Sequence, residues 1–264
     1  MTDWLSLSPG RAPLIVSIPH AGTIIPEDIT GLASYDLARR DADHHVDRLY
    51  AFAADLGATI LHSRISRTVI DLNRDPSGQS LYPGQATTGL CPTTTFDGEP
   101  LYAAGSEPDA AEIARRRKVW FEPYHTALRE QIERLRALHP AVVLYDAHSI
   151  RSHVPRLFEG ELPQFNIGSY DGASCDPALT EAIAGDCADA SHVVNGRFKG
   201  GWITRHYGEP ARGIHAVQME LAIQGYADEA GSWPPPWDSS RAAPMQSRLR
   251  TILNTCLAFA KDQS

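Results

Sequence analysis

Ala141-Val142-Val143-Leu144-Tyr145-Asp146-Ala147-His148-Ser149 carries the strongest strand signal in the chain. An unbroken apolar run, with adjacent β-branched residues, stops abruptly at an acid and a histidine. A short run of this kind reads as a buried strand whose end delivers polar side chains. The pattern on either side is helical. Upstream, Ile113, Trp120, Tyr124, Leu128, Ile132 and Leu135 mark a long helix with a kink at Pro123. Downstream, Asp176-Pro177 supplies an N-cap followed by proline at the first helical position.

Further out the alternation continues. Leu14-Ile15-Val16-Ser17-Ile18, closed by Pro19, reads as a second buried strand. Residues 36–56 read as a helix stopped by Gly57, with Val46, Leu49, Tyr50, Ala53 and Leu56 at helical spacing. Strands are predicted at 58–62, 68–72, 193–194 and 215–221. Leu249, Ile252, Leu253, Cys256 and Leu257 form a closing amphipathic helix, and Trp233-Pro234-Pro235-Pro236-Trp237 reads as a rigid linker. Residues 74–108, rich in Gly, Pro, Ser and Thr, read as a long ordered loop, and loops of that length are often functional. Strands alternating with helices predict an α/β sheet covered on both faces, with sites at the carboxyl ends of its strands.

Composition narrows the function. The 264 residues suit one large domain, and 42% apolar with 21% charged residues is ordinary for a globular protein. The net charge of −8 and the lack of a dense basic stripe argue against a nucleic-acid partner; Arg115-Arg116-Arg117-Lys118 reads as a solvated helix face. No apolar run is long enough for a membrane span. Met1-Thr2-Asp3-Trp4 has no basic n-region, so no secretory signal is expected. Cys91, Cys175, Cys187 and Cys256 are scattered without a CxxC, which predicts free thiols in a reducing cytoplasm. A metal would then be held by His and carboxylate.

Three polar groups stand at strand ends: His20, His148 and Glu220. A catalytic zinc site commonly uses three His or Asp/Glu ligands and leaves one position open, though any one strand-end histidine can equally be structural. Asp146 can orient His148 or cap a loop. Asp41, Asp43 and Asp47 crowd His44 and His45. On a helix Asp43 and Asp47 would share a face, either turned inward to a metal or paired with Arg39, Arg40 and Arg48. Arg67 and Arg74 bracket one predicted strand, suited either to a carboxylate ligand or to surface ion pairs. The glycine-rich stretch 200–208 lacks GxGxxG spacing, so no phosphate cradle is indicated.

Taken in order, Ser17–Gly22, Asp43–Tyr50, Arg67–Asp75, Tyr145–Ser152, Pro155–Gly160, Phe198–Gly208 and His215–Glu220 resemble the N-formylglutamate amidohydrolases (deformylases) of histidine catabolism. The resemblance implies one α/β domain over 1–264, with a mixed central sheet flanked by helices, similar to zinc carboxypeptidases and other phosphorylase/hydrolase-like folds. It implies hydrolysis of N-formyl-L-glutamate, a small dicarboxylate, to formate and L-glutamate by a cytoplasmic enzyme. The implied site is one Zn²⁺ on His20, Asp43 and His148, with Glu220 moving the proton and Arg67 stabilising the oxyanion. Asn73 and Arg74 would grip one substrate carboxylate, and Arg151, Arg156 or Arg205 the second. Aspartoacylase-like relatives place their acidic ligand in His-x-x-Glu, whereas His20 is followed by Ala21-Gly22-Thr23. The acid must come from elsewhere, with Asp43 preferred and Asp47 second. Two rivals stand beside this reading: an acylase for another N-acyl acidic amino acid, and a non-enzymatic binder of acidic metabolites or metal. Glu220 speaks against the binder, since neither metal holding nor carboxylate binding requires it.

Overall fold

Strand β2 (Leu14–Ile18) is fully buried along its length, as its apolar run predicts. It lies in a seven-stranded mixed sheet in the computed structural model, which describes residues 4–81, 84 and 87–263. The N-terminal tripeptide read above for a leader, and four positions of the 74–108 stretch, lie outside the described residues. The other strands are β1 (Leu5–Ser8), β3 (Thr59–Ser63), β4 (Val142–Ile150), β5 (Phe165–Gly168), β6 (His192–Val194) and β7 (Ile214–Ala222). Their order is β1-β3-β2-β4-β7-β5-β6. The centre, β3-β2-β4-β7, is parallel; β1 and β5 join it antiparallel.

Helices cover both faces. On one face Trp120, Tyr124, Leu128 and Ile132 pack on Ile15, Leu61, Leu144 and Ala216. On the other, Leu249, Ile252 and Leu253 pack on Val16, Val143, Tyr145 and Val217. Each fully buried Leu, Ile or Val of these layers contributes roughly 1.5–3 kcal/mol of transfer free energy. The helices are α1 (Val46–Leu49), α2 (Ala110–Arg116), α3 (Glu122–Arg136), α4 (Pro177–Asp186), α5 (Trp202–Tyr207) and α6 (Ser239–Asp262). Among the described residues no helix is long and apolar enough to cross a membrane.

The expected start of α4 is met: Asp176 accepts from the Ala178 N–H, and Pro177 opens the helix. The long upstream helix is interrupted by a π-helical turn, Arg117–Phe121, just before Pro123. The wider turn takes up the register that proline, lacking an N–H, disturbs.

Two predicted elements are corrected. Residues 36–56 are not one helix but a 3₁₀ turn (Leu37–Arg39), the four-residue α1, and a 3₁₀ segment (Ala51–Leu56). His45, at φ 67°, stands in left-handed conformation and breaks the path. Asp43 therefore precedes α1 and shares no helical face with Asp47; Asp43 is buried and Asp47 exposed. Residues 68–72 form no strand. Val69 N–H bonds to Ser66 and Asp71 N–H to Leu90, while Val69, Ile70 and Leu72 fill the α3-side core. The β-branched Val69 and Ile70 and the apolar Leu72 reflect burial rather than a ladder. The 74–108 stretch lacks helix and strand among its described residues up to 108, yet buries Leu90, Phe96, Leu101 and Tyr102. Elements β1, β5 and α5 were not anticipated.

Candidate metal centre and its pocket

Period-two alternation builds the site. On β4, Val142 and Leu144 face the α3 layer, and Asp146 and His148 follow on the same side. On β7, Ile214 and Ala216 are followed likewise by Gln218 and Glu220. The strands pair in parallel with Asp146 beside Gln218 and His148 beside Glu220. One sheet face thus turns from apolar to polar at its carboxyl end, where β2 also delivers Ser17, whose hydroxyl donates to Asp146 at 2.8 Å. His148 lies inside β4 rather than after it, so its ring is fixed by the ladder.

His20 arrives two residues past β2, and its carbonyl accepts the Asp43 N–H at 2.9 Å. That bond brings the 41–45 turn over the strand end. Asp43 Oδ2 then stands 3.0 Å from His148 Nδ1 and 3.9 Å from His20 Nδ1. The three residues are buried, and their donor atoms all lie within 4.8 Å of one another. Ligands on a tetrahedral zinc at about 2.0–2.2 Å are roughly 3.3–3.6 Å apart, between the two measured separations. His20 Nδ1 is buried without a hydrogen-bond partner, an arrangement that costs free energy unless something else occupies its lone pair. The donor set therefore fits a single divalent ion.

The outer nitrogens are held by carboxylates. His20 Nε2 is 2.7 Å from Asp71 Oδ1 and His148 Nε2 is 2.8 Å from Asp146 Oδ2. Such partners fix the tautomer, with Nε2–H donated outward and Nδ1 turned to the centre. Asp71 also accepts from Arg67 Nη2 at 2.7 Å and from the Asn73 N–H. Burial opposes its charge, but His20, Arg74 and Arg67 hold it well below the usual carboxylate range. Burial and the Arg67 charge lower His20. Burial also acts to lower His148, but Asp146 and Asp43 outweigh it and raise that imidazole well above its ordinary value. A cation held at the centre by these residues would take the place of the His148 proton.

Glu220 lines the same pocket as His20, His148, Arg67, Asn73 and Arg74. About 570 Å³ there is free of protein atoms, part of it open to solvent. Burial raises the Glu220 carboxyl to about 7, and Gln218 Nε2 donates to its Oε2 at 3.1 Å. Arg67 is clasped between Asp71 and, at 3.4 Å, Asp43, and stacks on Phe96.

The remaining expected residues divide. Arg74 lines the pocket and is held by the Thr88 carbonyl and hydroxyl at 3.1 and 3.2 Å. Asn73 lines it too, but its amide donates to Asp146 Oδ2 at 2.9 Å and accepts the Ile203 N–H at 2.7 Å. These bonds tie its side chain to β4 and to the start of α5. Arg151, Arg156 and Arg205 are outside the lining. Arg151 pairs with Asp97 at 2.7 Å, Arg156 points to the Thr95 carbonyl, and Arg205 donates to the Gly200 and Leu81 carbonyls. Sequence reasoning missed Arg197, Gln218, Phe96 and Phe198 in the pocket wall. For Gln218 a signal existed: it stands two before Glu220, on the same strand face.

Fold and site together define a class, an α/β enzyme scaffold with a buried centre able to hold one metal ion beside a carboxyl group poised near neutrality. The sequence profile of the N-formylglutamate amidohydrolase family matches residues 12–227, and the chain belongs to that family. It is 48% identical to an N-formylglutamate deformylase of Pseudomonas putida and 47% identical to one of Pseudomonas aeruginosa, each alignment covering 100% of this chain and 99% of the relative. The crystal structure of an N-formylglutamate amidohydrolase from Ralstonia eutropha JMP134 shares the fold, with a TM-score of 0.82 at 23% identity and 99% of both chains covered.

Proposed function

We propose that this chain hydrolyses N-formyl-L-glutamate to formate and L-glutamate, using one Zn²⁺ held by His20, Asp43 and His148. One observation carries the reading. Three residues far apart in sequence place their donor atoms within 4.8 Å of one another, beside Glu220, in a chain about half identical to N-formylglutamate deformylases end to end. The bound ion supplies Lewis-acid polarisation and an acidified water. Glu220 takes the proton of the attacking water on its carboxylate and returns it to the departing amine nitrogen, which its near-neutral pKa permits in both directions. Arg67, immobilised by Asp43 and Asp71, faces the oxygen on which negative charge develops. Arg74 receives a substrate carboxylate. Asn73, through Asp146, keeps His148 in register.

We place the enzyme in the cytoplasm, supported by four buried, unpaired thiols, and read residues 1–264 as one domain because a single sheet supplies or supports every ligand. The test pairs metal analysis with formate release. One equivalent of zinc and formate released from N-formylglutamate are expected, with activity lost to a chelator and restored by zinc. Full hydrolysis by a metal-free preparation would sink the proposal.

A further inference from the structure

We infer that Arg197 is the residue that selects a dicarboxylate: its guanidinium receives one substrate carboxylate and Arg74 receives the other. The inference rests on the deformylase reading above and assigns the second of its two carboxylate contacts.

Three arginines line the pocket, and they are not equivalent. Arg67 is clasped by Asp43 and Asp71, so its charge is already answered beside the metal centre. Arg74 is held by Thr88 and stands 3.6 Å from Asp71, the carboxylate that Arg67 also pairs. Arg197 enters from the loop after β6, and its Nε donates to the Leu157 carbonyl at 2.7 Å. A guanidinium tethered at Nε has a fixed direction, so less freedom is lost when it meets a ligand. Its neighbours Leu157 and Phe198, with Ile150 elsewhere in the lining, are apolar pocket walls, which strengthen a charge-assisted bond made between them. Among the described residues Glu220 is the one carboxylate in the lining. Arginines entering the lining from two separate loops suit a ligand with two carboxylates, and the planar fork of Arg197 matches a carboxylate bidentately. None of Arg151, Arg156 and Arg205 is in the lining.

The experiment compares kcat/KM for N-formylglutamate, N-formylglutamine and N-formylisoglutamine, the last two having one carboxylate replaced by an isosteric amide. In the wild-type enzyme each amide is expected to lower kcat/KM on the order of 10- to 100-fold, the scale of a charge-assisted hydrogen bond. In Arg197→Ala one of these two ratios should fall close to one while the other persists. The ratio that collapses names the carboxylate that Arg197 holds. Arg197→Lys, which keeps the charge and loses the fork, should restore part of the ratio, and it serves in place of alanine should that variant not fold. Both ratios persisting at wild-type size in the variants would overturn the inference. A wild-type enzyme that releases no formate from any of the three would overturn the deformylase reading instead, which keeps the two failures apart.

Discussion

Glu220 and His148 are register partners across the β4–β7 ladder, and the chemistry of Glu220 follows from that address. Burial removes water from its carboxyl and lifts it from 4.5 to about 7. Glu220→Gln preserves shape while removing the exchangeable proton. The variant is expected to retain its metal and to lose on the order of 10²–10⁴ in kcat, read by steady-state kinetics beside metal content; undiminished turnover would remove Glu220 from the mechanism. The same shift has a consequence for stability of the metal-free protein. Between about pH 4.5 and 7 the folded chain keeps a proton that the unfolded chain has released. Folded protein then binds more protons than unfolded, so stability falls as pH rises through this window and levels off above it. Relative to Glu220→Gln, wild type should lose up to about 3 kcal/mol across that interval. Urea denaturation at several pH values measures the difference, and curves that stay parallel would show that Glu220 is not held neutral.

At the scale of elements, the site depends on close approaches that only some residues allow. Gly201 precedes α5, and a Cβ there would lie 2.4 Å from Asn73 Nδ2. The Asn73 amide cannot retreat without releasing Asp146 and the Ile203 N–H. Gly201→Ala is therefore expected to cost about 1–3 kcal/mol in stability and to weaken zinc binding roughly 10-fold or more through Asp146 and His148. Chemical denaturation and zinc titration of the metal-free protein report the two effects; unchanged zinc affinity would break the proposed link from Asn73 to the ion. Elements also explain what the sequence could reveal. The runs at 14–18 and 141–145 are legible because strands buried on both faces need continuous apolar residues. His148 and Glu220 could be placed because they interrupt such runs. Asp43 was harder. Helical spacing around Val46, Leu49 and Tyr50 reflects burial against the core, and it hid the left-handed step at His45 that separates Asp43 from α1. The run at 68–72 misled for the same reason, since burial alone selects β-branched residues there. Arg197 carries no sequence signal at all: its place in the pocket comes from the path of a loop, which spacing does not encode.

On the scale of the whole molecule, the proposed ion joins segments that the chain keeps far apart, with Asp43 and His148 105 residues from each other. The unfolded chain cannot hold the three donors together, so zinc binds the folded state and stabilises it by mass action. At free zinc about 100-fold above Kd the gain is roughly 2.7 kcal/mol. For a chain of this size that corresponds to a rise in Tm of roughly 5–10 °C. Asp43→Ala should lose most of this zinc-dependent rise, whereas Asp47→Ala, altering an exposed residue on α1, should keep it. The rise should also depend on pH with a definite sign. His148 is held protonated by Asp146 and Asp43, and zinc must displace that proton, so its affinity falls as the solution becomes more acid. Thermal melts with and without zinc, from mildly acid to mildly alkaline pH, are expected to show a difference that widens with pH. A difference that is constant with pH, or that survives Asp43→Ala, would mean that zinc binds somewhere other than between these two imidazoles and this carboxylate.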